Sequence, residues 1–300
     1  MKRTPYSQIK TWGLVGLAIL SSGFGSSLPP SELRIGTTQR PNGSTPEYWE
    51  HLPSRPLINW TRDTAFEFAY LQKNPKLLPL IAAEPLKWNL TRSRAVLKIR
   101  AGIHTGQKDR TLSATDFIES WKKLAELPKD AAGRRLFWDN ILSLKALDDL
   151  TLEILLKKPD PNFTEILTLG FTAPQQPVGA WTVETWFPGK GVSLTATPGY
   201  SNSFFPLEGS DEFRRLGLVP SAEDPHTIAL PRTDRIEQVW FEKPTEALKA
   251  FLDGRLDILP LSPETVRMAL MTDASGTLKP EISERGVRLE QGWSPEWTFA

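Results

Sequence analysis

Residues 95–121 read AVLKIRAGIHTGQKDRTLSATDFIESW, a strand, a turn and a helix start in succession. Leu97 and Ile99 alternate with charged residues, the period of two that is typical of a half-buried strand. Ser113, followed three residues later by Asp116, predicts a capping box at the first turn of a helix. Apolar residues at positions i, i+4 and i+7 then predict the buried face of that helix: Phe117, Trp121 and Leu124.

Similar patterns lie on both sides of this stretch. Leu33 to Gly36 predicts a first strand, and the turn at Pro188 to Gly191 predicts a hairpin between two alternating segments. Residues 236–259 predict a β-α-β unit, because Pro244 suits a helix start and Gly254 suits the position after its end. The elements are short and mixed in type, so the predicted fold class is α/β, or mixed α+β.

Two segments show little periodicity. We expect Arg40 to Pro56 to be rich in loops and Tyr200 to Arg232 to form a surface excursion. The chain as a whole shows no internal repeat and no low-complexity tract.

The composition excludes several classes of function. Lys and Arg total 36 against 35 Asp and Glu, and no segment concentrates basic residues, so we expect no nucleic-acid partner. The chain has no cysteine, which rules out disulfides and thiolate chemistry. Phosphate-loop, dinucleotide, nucleophile-elbow and zinc-protease motifs are absent, and we expect neither a cofactor nor a metal.

Few residues remain as candidates for catalysis. The three histidines, His51, His104 and His226, are far apart in sequence, and we expect surface or turn positions for them. Asp148 and Asp149 could form a carboxylate pair for acid–base chemistry. Adjacent residues before a strand point apart, which favours a turn instead. The sequence therefore predicts that the protein is not an enzyme.

The first 27 residues have the three parts of a secretory signal. Lys2 and Arg3 precede an apolar run from Trp12 to Leu20, and small residues follow as far as Ser27. A membrane anchor is the alternative, but the apolar run is shorter than the roughly 20 residues that a spanning helix needs. We expect residues 1–27 to be a cleaved signal peptide and the protein to be periplasmic, without a lipid anchor.

The amino-acid sequence of several segments resembles that of the family 5 extracellular solute-binding proteins, which bind oligopeptides, dipeptides or nickel for ABC importers. The consecutive pair of segments at 97–106 and 112–121 is the most specific part of this resemblance. It extends from residue 33 to about residue 262, through these further segments: 33–36, 76–84, 149–159, 179–189, 198–200 and 236–258.

The resemblance implies a type II periplasmic-binding-protein-like lobe with an inserted small subdomain. It assigns residues 31–60 and 178–300 to the first, discontinuous lobe and residues 61–177 to the inserted α/β subdomain. Family members carry a second large lobe after this region, so we expect the second lobe to be missing.

The implied function is the substrate-binding component of an ABC importer for peptides or a similar small solute. The partners would be that solute and a permease in the inner membrane, and we expect a monomer. One wall of the binding cleft would be formed by five residues: Thr37, Thr38, Gln39, Arg40 and Trp181.

Two alternatives remain open. The chain could be a one-lobed remnant that acts as an exported interaction or structural protein without ligand transport. It could also be an exported hydrolase that uses Asp148 and Asp149.

Overall fold

The computed structural model describes most of the chain. The described residues are 16–20, 31–69, 76–105, 110–201, 231, 233–270 and 277–292. The predicted excursion from Tyr200 to Arg232 lies almost entirely outside these ranges, and so does His226. Among the described residues no helix is both long and apolar enough to cross a membrane.

Helices and strands are interspersed along the chain, as the mixed α/β prediction requires. The helices are α1 (Arg55–Thr61), α2 (Ala114–Lys122), α3 (Phe163–Ile166), α4 (Pro244–Leu252), α5 (Pro263–Ala269) and α6 (Pro280–Ser283). The first seven strands are β1 (Gly16–Leu20), β2 (Glu32–Thr37), β3 (Phe66–Phe68), β4 (Leu77–Pro79), β5 (Lys87–Trp88), β6 (Arg94–Lys98) and β7 (Ile141–Asp148). The remaining strands are β8 (Thr151–Leu156), β9 (Trp181–Phe187), β10 (Gly191–Ala196), β11 (Arg235–Trp240), β12 (Ile258–Pro260) and β13 (Arg288–Gly292).

The chain divides into two compact units, and neither is continuous in sequence. The first unit contains residues 1–39, 187–192 and 236–300, and the second contains residues 40–186 and 193–235. The assignment of residues 31–60 and 178–300 to one lobe and of residues 61–177 to a subdomain stays a prediction.

The first unit is built on a sheet in which β13, β1, β12, β2 and β11 follow one another. Strand β12 pairs with β2 in parallel, whereas β1 pairs antiparallel with both β12 and β13. Helices α4, α5 and α6 contribute buried apolar residues to a core that also receives Leu256 and Leu259. The predicted β-α-β unit is confirmed as β11, α4 and β12, and Gly254 follows α4 with a φ of +73°.

The second unit contains a four-stranded antiparallel sheet in the order β5, β6, β8, β7, and the β3–β4 pair. Helix α2 supplies the centre of its core: Phe117 and Trp121 are fully buried, as the spacing predicted. The indole nitrogen of Trp121 donates to the Thr172 carbonyl at 2.7 Å, so the large ring is buried without an unpaired donor.

The predicted capping box at the start of α2 is present, and its carboxylate does most of the hydrogen bonding. The backbone N–H and the hydroxyl of Ser113 both donate to Asp116 Oδ2, each at 2.8 Å. The amide of Gln176 donates to Asp116 Oδ1 at 2.7 Å, and Arg110 forms an ion pair with it. Asp116 is only 1% exposed, and these contacts stabilise its buried charge.

The predicted hairpin is formed by β9 and β10. Its turn places Gly189 at a φ of +74°, a left-handed conformation that favours glycine. Gly191 lies against the backbone carbonyl of Gln238, where a side chain would collide with it.

Strand β7 is the outermost strand of its sheet and is irregular at both ends. Its register with β8 shifts between Ile141 and Ser143 and again between Ala146 and Asp148. Lys145, between the two shifts, is exposed.

The expectation of a loop-rich segment from Arg40 to Pro56 needs one correction. Short 3₁₀ helices cover Pro46–Tyr48 and Leu52–Ser54, and α1 begins at Arg55. A helix tolerates proline in its first turn, because the backbone N–H groups there have no partner within the helix.

Candidate functional site

The end of the first predicted strand is a well-defined turn. The Gln39 backbone N–H donates to Thr37 Oγ1 at 3.0 Å, so the Thr37 side chain closes the turn locally. The Thr37 carbonyl accepts from the Phe241 N–H at 2.9 Å. Thr37 and Thr38 are half-buried and Gln39 is exposed. The structure therefore brings three of the five predicted site residues into one turn.

Two contacts hold β2 in place behind this turn. Two nitrogens of the Arg34 guanidinium donate to the Asp257 carboxylate, Nε to Oδ2 at 3.0 Å and Nη2 to Oδ1 at 2.9 Å. The Arg34 backbone N–H also donates to Asp257 Oδ2 at 2.8 Å. The side-chain hydrogen bond to Asp257 raises the pKa of Arg34 above its ordinary value. One residue before the turn, Gly36 is packed so closely that a Cβ would lie 2.5 Å from Leu256 Cδ1.

The other two predicted site residues, Arg40 and Trp181, belong to the second unit. Arg40 is exposed. Trp181 is half-buried at the start of β9, and its indole nitrogen donates to the Thr233 carbonyl at 3.3 Å. The Thr197 hydroxyl donates to the Gly179 carbonyl at 2.8 Å and thereby ties down the backbone that enters β9.

A buried polar junction in the second unit was missed by sequence reasoning. Arg62 is 7% exposed, and its guanidinium donates to the carbonyls of Gln175 and Ser44 and to the Thr61 hydroxyl. Burial lowers the pKa of Arg62 to about 10, so it still carries its charge at neutral pH. No short motif marks this junction, because its acceptors come from separate parts of the chain.

Next to Arg62, Asp63 accepts a hydrogen bond from the Tyr200 hydroxyl at 2.9 Å. Asp63 is 8% exposed, and burial, followed by the charge of Asp63, raises the pKa of the Tyr200 phenol. A protonated phenol next to a buried carboxylate is a stable donor–acceptor pair. The sequence resemblance includes Tyr200, but the partner in Asp63 was not predicted.

Asp148 and Asp149, the possible carboxylate pair, lie at a turn, as predicted. Asp148 Oδ1 accepts from the Leu150 N–H at 2.8 Å, and this backbone hydrogen bond lowers the pKa of the exposed Asp148. The Asp149 carbonyl accepts from the Ala114 N–H at 2.8 Å. His51 Nδ1 lies 3.1 Å from Ser54 Oγ, and His104 is exposed. Within the described ranges no three His, Cys, Asp or Glu side chains are grouped as metal ligands would be.

The sequence model of one protein family matches residues 76–287, well over half of the chain; its description is "Bacterial extracellular solute-binding proteins, family 5 Middle". The chain belongs to this family. The resemblance inferred from the sequence motifs is thus confirmed. No curated protein matches the chain.

Solved structures share the fold of this family 5 protein at low sequence identity. MoaA from A. tumefaciens R10, in complex with mannopinic acid, is 19% identical with a TM-score of 0.56, and the match covers 77% of this chain and 45% of that one. DppA from Helicobacter pylori, an ABC transporter-associated periplasmic binding protein in complex with the peptide STSA, is 15% identical with a TM-score of 0.56, covering 75% and 45%. A nickel ABC transporter structure from Bacillus halodurans is 16% identical with a TM-score of 0.57, covering 81% and 46%.

These matches confirm the predicted fold class, a mixed α/β periplasmic-binding-protein-like fold. The family 5 protein spans less than half the length of these structures. The assignment to a single lobe stays a prediction.

Proposed function

We propose that this protein is the substrate-binding component of an ABC importer, that it takes up a peptide or a similar small solute, and that it is not an enzyme. The family match over residues 76–287 carries this proposal, because it covers the two consecutive segments on which the sequence resemblance is most specific. The solved structures support it further, since MoaA holds mannopinic acid and DppA holds a peptide.

The proposed binding wall consists of the turn from Thr37 to Arg40 together with Trp181. Thr37 is the last residue of β2, which pairs in parallel with β12. Ligands of open α/β sheets bind outside the carboxyl ends of the strands, and this turn lies at the carboxyl end of β2. Trp181 is half-buried, and a partly exposed indole offers a flat apolar surface to a solute.

A solute screen with a matched tryptophan control tests this wall. The 300-residue protein is titrated calorimetrically with a random tripeptide mixture, mannopinic acid and nickel–histidine, and the best solute is carried forward. Trp181→Leu should weaken its binding about fivefold, since it removes an aromatic contact that contributes about 1 kcal/mol. Trp186→Leu is the control, because Trp186 is also half-buried on β9 but lies five positions on, toward the opposite face.

Three results would count against the proposal or a part of it. Absence of heat with every solute would favour the one-lobed remnant, and equal weakening by both tryptophan variants would remove Trp181 from the wall. Turnover of a peptide that Asp148→Asn abolishes would favour the hydrolase.

The proposal includes export and partners. Residues 1–27 would direct export to the periplasm and would then be cleaved off. There the protein would act as a monomer and deliver its solute to an inner-membrane permease. Mass spectrometry of the protein recovered from the periplasm measures the cleavage point, and light scattering measures the oligomeric state. An uncut chain in the cytoplasm would contradict this part of the proposal.

A further inference from the structure

A reactive pair of residues lies just after the turn at the end of β2. Among the asparagines of the sequence, Asn42 is the one that a glycine follows. Asn42 is exposed and Gly43 is half-buried. The backbone nitrogen that follows an asparagine lies close to its side-chain carbonyl carbon, and glycine has no Cβ to hinder their approach. The pair therefore brings a nucleophile and an electrophile together within reach of solvent.

The backbone is held on both sides of this pair but not within it. The Asn42 N–H donates to the Ser54 hydroxyl oxygen at 2.9 Å, and the Ser44 carbonyl accepts from the Arg62 guanidinium. Within the described ranges neither the Gly43 N–H nor the Asn42 side-chain amide has a hydrogen-bond partner. No contact of these two groups has to break before they react with each other.

An Asp–Gly pair in the first unit shows the opposite arrangement. Gly254 follows α4 with a φ of +73°, and its N–H donates to the Phe251 carbonyl at 3.0 Å. The Asp253 N–H donates to the Lys249 carbonyl at 2.9 Å. A glycine nitrogen that is bound into the end of a helix cannot turn toward the preceding side chain without losing this bond. The free N–H of Gly43 is thus a property of the fold at that position.

We propose that Asn42–Gly43 is a self-modification site, at which the protein converts Asn42 into isoaspartate and thereby loosens the buried Arg62 junction. In the first step the Gly43 nitrogen bonds to Cγ of Asn42 and the Cγ–Nδ2 bond breaks. The Gly43 proton and the side-chain amino group leave together as ammonia, and a cyclic imide remains.

Water completes the reaction without an oxidant or a cofactor. When water adds at Cγ, the Cγ–nitrogen bond breaks and residue 42 becomes an ordinary aspartate. When water adds at the main-chain carbonyl carbon, the original peptide bond breaks and the chain continues through Cβ and Cγ, which is isoaspartate. In both cases the carbon gains the hydroxyl group and the Gly43 nitrogen regains a proton. The reaction needs only these two residues and solvent, so it does not rest on the proposed function.

Isoaspartate at position 42 lengthens the backbone between two fixed points. Ser54, which holds the Asn42 N–H, is fully buried, and Arg62, which holds the Ser44 carbonyl, is 7% exposed. An additional backbone carbon between these points displaces at least one of the two contacts. A buried charge that loses an acceptor destabilises the folded state. We expect modified molecules to have a less stable second unit.

Peptide mapping of the intact protein tests the chemistry. The 300-residue chain is incubated at mildly alkaline pH, and samples are digested and measured by mass spectrometry. The peptide that contains Asn42 should gain the mass difference between a hydroxyl and an amino group, and isoaspartate-specific methylation should label it. Asn42→Gln keeps the amide but would need a larger imide ring, so its peptide should stay unchanged. An Asn42 peptide of constant mass would overturn the site.

Asp253→Asn separates the effect of the fold from that of the motif. This variant has a second Asn–Gly pair in the same chain, on an exposed residue, but there the Gly254 N–H is engaged. Ammonia loss at Asn42 should be about tenfold faster than at position 253 of the variant. Equal rates at the two positions would show that the free N–H of Gly43 has no influence and that the fold does not select this site.

Urea unfolding tests the loosening of the junction. The isoaspartate form is separated chromatographically from the unmodified protein, and it should unfold at a lower urea concentration. Freshly prepared Asn42→Asp carries the same new charge on an ordinary backbone, so it should unfold together with the parent. If the isoaspartate form also unfolds with the parent, the longer backbone leaves the Arg62 junction intact and this part of the inference is wrong.

Discussion

Gly179 lies where two stretches of backbone come unusually close. Its N–H donates to the Thr61 carbonyl at 3.0 Å, and a Cβ at this position would lie 2.6 Å from the Trp60 carbonyl oxygen. Backbone atoms at the end of α1 cannot move aside as a flexible side chain would. We therefore expect Gly179→Ala to lower the free energy of unfolding by about 2 to 3 kcal/mol, measured by urea unfolding.

Gly102→Ala is the matched control for this glycine. Gly102 has a φ of +79° but has no atom within 4 Å of a Cβ, so alanine there meets backbone strain without a collision. The expected loss is about 1 kcal/mol. A Gly179→Ala protein no less stable than Gly102→Ala would show that the α1 contact can relax.

The buried Tyr200 should make the protein sensitive to alkali. Its folded-state pKa is raised above the unfolded value of about 10, so the folded protein holds this proton more tightly than the unfolded chain does. The resulting stability is complete below pH 10 and is lost progressively as the pH rises above 10. Between pH 9 and pH 11 we expect Tyr200 to account for a loss of about 1 kcal/mol.

Urea unfolding at pH 9 and pH 11 measures this contribution. Tyr200→Phe should be less stable than the parent at pH 9, because Asp63 loses its hydrogen bond, and should lose less stability on going to pH 11. Tyr48→Phe changes a ring that is 41% exposed and serves as the control. The same alkaline loss in the parent and in Tyr200→Phe would contradict the raised pKa.

At the scale of single elements, the pair of Arg34 and Asp257 joins β2 to the start of β12. Asp257→Asn removes the charge and one acceptor of the two-pronged contact while keeping the side-chain shape. Because Arg34 is partly exposed, solvent screening limits the expected loss to about 1 kcal/mol of unfolding free energy.

The control for this pair is four residues away. Asp253 and Arg255 are separated by 3.5 Å and both are largely exposed, so Asp253→Asn should change stability by less than about 0.5 kcal/mol. Equal effects of the two substitutions in urea unfolding would mean that the Arg34 contact contributes no more than an ordinary surface pair.

Elements with local signals could be predicted from the sequence. The capping box of α2 and the Gly254 end of α4 each depend on a few neighbouring residues, and both are present. Strand β7 was not predicted, because its two register shifts interrupt the alternation that marks a strand. Helix α1 was missed because its seven residues give too short a pattern; Leu57 and Ile58, both fully buried, are fixed by the core around them.

The candidate site shows the same limit. The strand that ends at Thr37 was predicted and is present, whereas the binding role of the turn after it stays a prediction. The junction of Arg62 depends on acceptors from Ser44 and Gln175, which are far apart in sequence. No spacing rule connects such residues, so only the folded chain reveals the junction.

At the scale of the whole molecule, the two units have separate apolar cores. Phe251 is 3% exposed in the core of the first unit, and Phe117 is fully buried in the core of the second. Separate cores favour separate cooperative transitions. Calorimetry of Phe251→Leu and Phe117→Leu should therefore show two unfolding transitions. Each variant should lower the free energy of unfolding of a different one by about 1 to 2 kcal/mol.

A single transition that both phenylalanine variants lower together would contradict independent unfolding. The parent protein and Leu142→Ala provide the reference, since the Leu142 side chain is 63% exposed and lies outside both cores. Its transitions should coincide with those of the parent.

The irregular outer strand β7 also affects how the protein behaves at high concentration. A second molecule that docks edge to edge finds an uninterrupted ladder only from Ser143 to Ala146, and Lys145 places a positive charge in that short stretch. Interrupted and charged borders discourage one copy from extending the sheet of another. Concentrated solutions should thus resist growth of fibrils from this side of the molecule.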